Sequence, residues 1–312
     1  MPMYNKQKLT AWANELGFIR DTFEKVIRLV EILKFIEADP LLSSALAIKG
    51  GTAINLIIFK LPRLSVDIDL DYTHDNNLNN MMKDREIITA TINQYMAAAD
   101  YIRSDKSKSS HSLDSLVYAY TNSAGIKDNI KIEINYSLRC HVLPLEIRAV
   151  ETMGVLNTAN VLSVAPAEIF ASKIVALLTR TAARDLYDIN NMITLKVFNK
   201  SEESMLRKCV IFYAVITSEE LAEGFDIDRI DNLTKYKIRT DLQPLLRKSN
   251  WFDLPVAQER VKVYLRHLLS LEDDERNFLN VFQKKEYRPE LVFAGEALVR
   301  IKNHPMALWK TQ

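Results

Sequence analysis

The 312-residue chain has little of what marks several protein classes. Its two cysteines, Cys140 and Cys209, have neither a metal-ligand nor a redox spacing. No run reaches the roughly 18 uncharged apolar residues of a membrane span. Residues 1–6 lack the basic-then-apolar order of a secretory signal. We therefore expect a soluble protein of the reducing cytoplasm, with no membrane association.

Further absences narrow the chemistry. The five histidines show no zinc-ligand spacing, and no nucleophile-elbow motif supports an acyl-enzyme hydrolase. The formal net charge of +1 neither predicts nor excludes nucleic acid, because binding depends on how basic residues cluster. Nearly half of the residues (48%) are apolar, and the length favours a substantial core in about two domains.

Glycine is also scarce, yet two of the seven glycines, Gly50 and Gly51, are adjacent. Residues 46–48 predict a short strand that runs into them, and residues 52–59 predict a helix that follows. Glycine permits unusual backbone angles and close approach of a phosphate. Backbone N–H groups at such a strand-turn-helix can hold a triphosphate.

The segment 65–71 alternates between aspartates and apolar residues. As a strand it would place Asp67, Asp69 and Asp71 on one face, roughly 6 to 7 Å apart per residue pair, and the apolar residues in a core. Like charges so close need a cation, and magnesium accepts one or two carboxylates while keeping sites for water and phosphate. The alternative is the solvated face of an edge strand.

A second alternating segment, 130–136, carries Lys131, Glu133 and Asn135 on one side. Glu133 is therefore a candidate third acidic group. That role requires this strand to lie beside the Asp67 strand.

The remaining pattern predicts a mixed α/β half, residues 1–160, followed by an all-helical half, residues 161–312, with a ligand cleft between them. Helices are expected at 21–36, where Asp21 is a candidate cap, after Pro40, and at 85–99; a loop is expected at 73–80. Further strands are expected near 101–103, 116–120 and 145–150. Beyond Pro166 the pattern is almost wholly helical.

Three basic residues of the segment 167–188 are candidates for a phosphate-binding stripe. On one continuous helix, Lys173, Arg180 and Arg184 would lie within roughly 20° of one direction. Both arginine and lysine suit triphosphate oxygens. The alternatives are a solvated basic face, or arginines paired with Asp185 and Asp188.

A later cluster of basic and aromatic residues has two interpretations. It can grip RNA phosphates and stack a base, or it can be a solvated surface. Its members are Lys235, Tyr236, Lys237, Arg239, Arg247, Lys248 and Trp251.

Several of these motifs, in their order, resemble the AbiEii/AbiGii toxin nucleotidyltransferases of the DNA polymerase β-like nucleotidyltransferase superfamily. The resemblance spans about residues 46 to 190. It rests on Gly50-Gly51-Thr52, Arg63-Leu64-Ser65-Val66-Asp67-Ile68-Asp69, Glu133, Glu168, Lys173, Arg180, Arg184, Asp185 and Asp188. It implies an α+β fold: a polymerase β-like domain with a mixed sheet flanked by helices, then an all-helical domain that completes the active-site cleft.

The resemblance also implies roles for individual residues. Asp67 and Asp69 would bind catalytic Mg²⁺ or Mn²⁺, with Glu133 as a third carboxylate. Lys173 and Asp185 would occupy the family's fourth motif as catalytic residues. An unbroken helix would turn Asp185 about 120° away from Lys173, so their joint action requires a bend near Thr181 to Ala183, or else an indirect role for Asp185. The groups that would contact the nucleotide are Gly50, Gly51, Thr52, Ser65, Lys173, Arg180 and Arg184.

The activity so implied is transfer of a nucleoside monophosphate from an NTP to an acceptor hydroxyl, the 3′ end of tRNA, with release of pyrophosphate. The protein would be the toxin of a toxin-antitoxin or phage-defence pair, with a cognate antitoxin as partner. Two alternatives stay open. The acceptor could be a small molecule or a protein side chain, or the chain could be a non-catalytic nucleotide-binding interaction module.

Overall fold

The computed structural model describes residues 5–74, 77–152, 154–155, 158–217 and 225–312, which form two compact units. The first unit contains the described residues up to Arg139 with 145–164 and 245–250; the second contains 140–144, 165–244 and 251–312. The division of the chain into a nucleotidyltransferase domain up to residue 160 and a helical domain from residue 161 stays a prediction. Among the described residues, no helix is both long and apolar enough to cross a bilayer.

The first unit is built on a mixed, eight-stranded sheet. Its strands are β1 (Leu46–Lys49), β2 (Asp67–Tyr72), β3 (Ile102–Arg103), β4 (Lys108–Ser109), β5 (Leu113–Thr121), β6 (Lys127–Asn135), β7 (Glu146–Ala149) and β8 (Asn160–Ser163). Their order is β3-β5-β6-β2-β1-β8-β7, with β4 also paired to β5. The expected strands are confirmed, whereas β4 and β8 were missed because they are short and lack a clear apolar alternation.

Strand β2 lies at the centre of the sheet. It pairs antiparallel with β1 and parallel with β6. On one face, Ile48, Ile68 and Ile132 of these three strands are completely buried. The alternation read from the sequence therefore separates a core face from a polar face, as expected for half-buried strands.

Helices of the first unit depart from the predictions at two ends. They are α1 (Lys6–Leu16), α2 (Arg20–Ala38), α3 (Pro40–Ala45), α4 (Gly50–Ala53), which continues as a π-helix (Ile54–Ile58), and α5 (Leu78–Ala98). Asp21 is not the cap of α2: Ile19 holds that position, and Asp21 lies in the first turn, where the positive helix end favours a carboxylate. Helix α5 begins inside the predicted loop 73–80, because the Asn77 side chain accepts the Asn80 N–H at 3.0 Å. Residues 75–76 of that loop lie outside the described part.

A buried ion pair within α2 also hydrogen bonds to the β5–β6 hairpin. Arg28 Nη2 donates to Glu24 Oε1 at 2.8 Å, and Glu24 also accepts the backbone N–H and the hydroxyl of Ser123. Arg28 further donates to the Tyr101 hydroxyl at 3.1 Å. Since each buried charge has partners, this polar cluster can be buried without leaving a group unsatisfied.

All the regular secondary structure among the described residues of the second unit is helical. Its helices are α6 (Pro166–Arg180), α7 (Ala183–Thr194), α8 (Lys200–Thr217), α9 (Lys235–Lys237), α10 (Leu254–Leu268), α11 (Asp273–Gln283), α12 (Gly295–Ile301) and α13 (Pro305–Thr311); a π-helix (Ile238–Leu242) and 3₁₀ turns (Ile227–Asn232, Gln243–Leu245, Pro289–Leu291) complete it. Residues 209–216 of α8 are all buried, as in a helix surrounded by others. Helices α6, α11 and α13 contact it. The helical prediction beyond Pro166 is confirmed.

Glu168, in the first turn of α6, anchors the segment 140–144. It is fully buried and accepts the backbone N–H groups of Val142 and Leu143, each at 2.9 Å, and the Tyr213 hydroxyl at 2.8 Å. Burial alone would raise the pKa of Glu168, but these donors and the nearby His141 outweigh it and lower the pKa. Glu168 therefore has a structural role in these contacts.

Candidate active site

The glycine turn and the aspartate strand meet at one point of the first unit. Gly50 has φ 64°, in the left-handed region, and a Cβ placed on it would lie 2.2 Å from Asp69 Oδ2 and 3.0 Å from Asp69 Cγ. The Asp69 carboxylate thus packs directly on the Gly50 backbone. A larger residue at position 50 would have to displace that carboxylate.

Gly51 and Thr52 hold the glycine turn against the residues that precede β2. A Cβ on Gly51 would lie 3.0 Å from Ser65 Oγ and 3.1 Å from Arg63 Nη2. Thr52 Oγ1 lies 3.0 Å from Ser65 Oγ and hydrogen bonds to the backbone carbonyl of Asp67. Both hydroxyls are buried and hold the backbone in place. Contact of Thr52 and Ser65 with nucleotide phosphates stays a prediction.

Strand register gathers the carboxylates. In the parallel pair of β2 and β6, Asp67 is opposite Lys131 and Asp69 is opposite Glu133. Neighbouring strands are about 4.8 Å apart, and residues in register point to the same side of a sheet. Glu133 therefore meets the condition set by the sequence. We call Asp67, Asp69, Asp71 and Glu133 the acidic face.

Two lysines that sequence reasoning left out of the site balance part of this charge. Lys49 Nζ lies 2.5 Å from Asp71 Oδ1, and Lys131 Nζ lies 2.9 Å from Glu133 Oε1. Both were recognisable, since Lys49 directly precedes the glycine pair and Lys131 alternates with Glu133. Four carboxylates and two ammonium groups leave a formal charge of −2, which one divalent cation would offset.

The donor set fits a magnesium ion that takes most of its ligands from water and substrate, and not one held in a dedicated protein cage. Within the described ranges, no group of three or more His, Cys, Asp or Glu side chains is arranged to hold a metal ion. Mg²⁺ commonly uses one or two protein carboxylates, with water and substrate phosphates as its other ligands. Asp67 and Asp69, both partly exposed, suit that role. The three-carboxylate set with Glu133 stays a prediction.

In the second unit, the predicted basic stripe on one continuous helix is wrong. Helix α6 ends at Arg180, Thr181 has φ 51°, and α7 begins at Ala183, so Arg184 belongs to a different helix. The break places Arg180 at the negative end of α6 and Asp185 at the positive end of α7, where each charge is favoured.

The break lies at the bend that joint action of Lys173 and Asp185 requires, and it brings the two side chains together. Lys173 Nζ lies 2.9 Å from Asp185 Oδ1 and 3.5 Å from Asp188 Oδ2. Arg180 donates from Nε to Asp185 Oδ2 at 2.9 Å and from Nη2 to Oδ1 at 3.1 Å, which realises the predicted arginine–aspartate pairing for this arginine. Burial alone would raise the pKa of Asp185, but the Lys173 ammonium and the Arg180 guanidinium lower it.

The Arg180 side chain nevertheless remains 65% exposed, while Lys173 and both aspartates are buried. The buried Asp185 carboxylate thus orients the guanidinium of Arg180, which remains accessible to solvent. Among the described residues no ion pair of Arg184 is found. Nucleotide contacts of Lys173, Arg180 and Arg184 stay predictions.

Comparisons with known proteins agree with this fold. No curated protein matches the chain in sequence. MenT4, a nucleotidyltransferase toxin from Mycobacterium tuberculosis, has a similar structure, with a TM-score of 0.65 at 17% identity over 92% of this chain and 97% of that one. The family model "Nucleotidyl transferase AbiEii toxin, Type IV TA system" matches residues 34–284. The chain therefore belongs to the AbiEii family of nucleotidyltransferase toxins, NTP-dependent enzymes of toxin-antitoxin systems.

Proposed function

We propose that this protein is a metal-dependent toxin that transfers a nucleoside monophosphate from an NTP to the 3′ end of tRNA in the cytoplasm, and that a cognate antitoxin opposes it. The contact between Gly50 and Asp69 carries this proposal. It joins a turn able to approach phosphate closely with a carboxylate able to bind the accompanying cation.

The chain's own residues would position the reactants. Backbone at Gly50 and Gly51 would hold the triphosphate beside Asp69, while Thr52 and Ser65 keep the turn fixed on β2. A magnesium ion held by Asp67 and Asp69 would supply Lewis-acid chemistry at the acceptor hydroxyl and the phosphates.

The reaction itself balances simply. The acceptor oxygen forms a bond to the α-phosphorus, the bond from that phosphorus to the bridging oxygen breaks, and pyrophosphate carries the electron pair away. The hydroxyl proton passes to solvent or to a carboxylate of the acidic face. Negative charge grows on the leaving pyrophosphate, so a nearby cation would accelerate this step.

Arg180 is our candidate for that cation in the second unit. Its guanidinium is exposed yet oriented by Asp185, which Lys173 in turn holds. We therefore propose that Lys173 and Asp185 act by positioning Arg180, and that Arg184 adds a second contact to phosphate.

The test is a transfer assay with each α-labelled NTP and purified protein. Acceptors would be total tRNA, periodate-oxidised tRNA without its 3′ diol, an aminoglycoside panel, an unrelated protein, and no addition. We expect Mg²⁺-dependent labelling of intact tRNA and none of oxidised tRNA. Asp67→Ala or Asp69→Ala should lower the rate at least about a thousandfold, since metal stabilisation of the transition state supplies several kcal/mol.

Asp105→Ala is the matched control, because Asp105 is an exposed aspartate of the same unit. It should keep the wild-type rate. Full labelling by a folded Asp69→Ala protein would defeat the proposal. If the label appeared on an aminoglycoside or a protein and not on tRNA, the proposed acceptor would be wrong, whereas the proposed nucleotidyl transfer would stand.

A further inference from the structure

A cavity of about 830 Å³ opens within the second unit. We call it the aromatic pocket. Its lining residues are Lys235, Tyr236, Ile238, Arg239, Gln243, Trp251, Phe252, Asp253, Leu254 and Pro255. Ligand pockets span roughly 300 to 1,000 Å³, so this one has room for a nucleotide.

The aromatic side chains at its mouth are exposed. Trp251 is 87% exposed and Tyr236 is 64% exposed. Exposed large aromatics that converge on one cavity are a signature of a binding site, whereas single exposed apolar residues are common on any surface. Trp309, which is 66% exposed on α13 and does not line the cavity, is such a single residue.

The floor is apolar and well packed. Ile238, Phe252 and Leu254 are buried, and the Phe252 ring lies 5.5 Å from the Tyr187 ring. A firm apolar floor beneath exposed rings suits a flat ligand that can stack, and nucleobases are flat on both faces.

The charge at the mouth favours an anion. Lys235 and Arg239 are both exposed there, and the Arg239 guanidinium carbon lies 6.0 Å from the Tyr236 ring centre. The carboxylate lining the pocket, Asp253, caps α10 by accepting the Val256 N–H at 3.2 Å. The two cations outnumber this one carboxylate, so the mouth carries net positive charge.

Only some of the basic residues in the cluster predicted from the sequence lie at this pocket. Arg247 and Lys248 belong to the first unit. Arg247 lies 5.3 Å from the Phe18 ring centre and donates to the Leu61 carbonyl at 3.3 Å. Lys237 lies 3.7 Å from Asp241. Lys235 and Arg239 therefore remain as the cations of the pocket.

We propose that the aromatic pocket binds an unpaired nucleotide of the RNA acceptor. Its base stacks on Trp251 over the apolar floor, and its phosphates contact Lys235 and Arg239. This inference rests on the proposed function, which supplies RNA as the substrate class. It adds a contact that selects single-stranded RNA.

The test measures binding alone, with the full chain carrying Asp69→Ala and with no NTP or divalent metal. The probe is a fluorescein-labelled single-stranded RNA of about ten nucleotides, followed by fluorescence anisotropy. Trp251→Ala should raise the Kd for this RNA by about 5- to 100-fold, because it removes one stacking contact. Trp309→Ala, the matched control, should leave Kd unchanged.

The cations have a separate readout. Lys235→Ala and Arg239→Ala should each reduce the slope of log K against log salt by about 0.7, the value for one contact to single-stranded nucleic acid. Arg300→Ala, at an exposed arginine near Glu296 on α12, should not change the slope. A protein with Trp12→Phe and Trp309→Phe should show quenching of Trp251 fluorescence on addition of RNA.

Equal RNA affinity of the Trp251→Ala and Trp309→Ala proteins would overturn the inference, as would equal affinity for a perfect RNA duplex. Loss of binding to a protein partner, with RNA affinity unchanged, would assign the pocket to that partner and also overturn it. Because neither NTP nor metal is present, these outcomes are independent of the transfer assay. A protein without transferase activity could still bind RNA through Trp251, and a protein whose pocket does not bind RNA could still carry out the transfer.

Discussion

The molecule holds two sets of acidic side chains in very different surroundings. On the strand β2, Asp67 and Asp69 are partly exposed and lie beside a glycine turn. At the junction of α6 and α7, Asp185 is 1% exposed and Asp188 is completely buried, both close to the Lys173 ammonium. The strand carboxylates can accept an external cation, whereas the helix carboxylates already have an internal one.

This difference separates two uses of charge. A buried carboxylate without its cation is costly, so the α6–α7 cluster holds the local structure together. Partly exposed carboxylates keep their hydration and can exchange water for metal at modest cost. The variants below test whether these two uses are distinct.

Lys173→Met should have the largest effect on stability. It leaves Asp185 and Asp188 buried without their ammonium partner, which costs about 3–5 kcal/mol of the free energy of unfolding. Chemical denaturation measures this loss. Lys237→Met, at an exposed ion pair, should cost less than about 1 kcal/mol, and adding Asp185→Asn to Lys173→Met should restore part of the loss. A fully stable Lys173→Met protein would contradict the structural role.

Gly50→Ala is paired with Gly125→Ala. Both glycines have positive φ, but nothing lies within 4 Å of a Cβ at Gly125, whereas Asp69 blocks one at Gly50. The left-handed backbone should lower the free energy of unfolding of both variants by about 1–2 kcal/mol. Displacement of the Asp69 carboxylate should lower that of Gly50→Ala by a further ~1–3 kcal/mol. Only Gly50→Ala should also lose transfer activity. Equal stability and activity of the two proteins would show that Asp69 is not held against the turn.

Acid should weaken the α6–α7 cluster. Lys173 and Arg180 lower the pKa of Asp185, so the unfolded chain binds more protons than the folded one between the lowered and the ordinary pKa. The stabilisation is therefore complete above about pH 5, declines as pH falls through about 4, and is gone below the folded pKa. Unfolding measured from neutral to acid pH should show a shallower acid decline in Asp185→Asn than in wild type. Identical pH profiles of the two proteins would show that Asp185 does not contribute to the acid dependence of stability.

Lys131→Met should have the smallest effect, and in the favourable direction. It frees Glu133 from its ammonium partner and makes the acidic face more negative. Affinity for Mn²⁺ without nucleotide should rise about two- to tenfold, as expected for a partly exposed charge. Titration calorimetry measures it. An unchanged affinity would separate Glu133 from the metal site.

The strands show what the sequence can reveal. Alternation alone separated the Asp67–Asp69 face from the apolar core, because side-chain direction in a strand has a period of two. It could not show that Asp69 lies opposite Glu133, since pairing between strands so distant in sequence depends on the tertiary fold. Nor could it show that Asp69 packs on Gly50.

The helices show what the sequence predicts only in part. On an unbroken helix with about 100° per residue, Lys173 and Asp185 face different directions, so their joint action requires a bend near Thr181 to Ala183. The left-handed Thr181 supplies that bend and the two side chains lie 2.9 Å apart, but a β-branched residue does not by itself indicate such a conformation. The role of Asn77 as a cap was missed for a related reason, because asparagine suits loops and helix starts alike.

The proposed binding of a divalent cation together with an NTP by Asp67 and Asp69 has a direct test. Electron paramagnetic resonance of Mn²⁺, recorded with a non-hydrolysable NTP present, tests it without catalysis. Asp67→Asn and Asp69→Asn should each weaken Mn²⁺ binding at least about tenfold, while Asp105→Asn should bind as wild type does. Wild-type Mn²⁺ affinity in a folded Asp69→Asn protein would contradict the account.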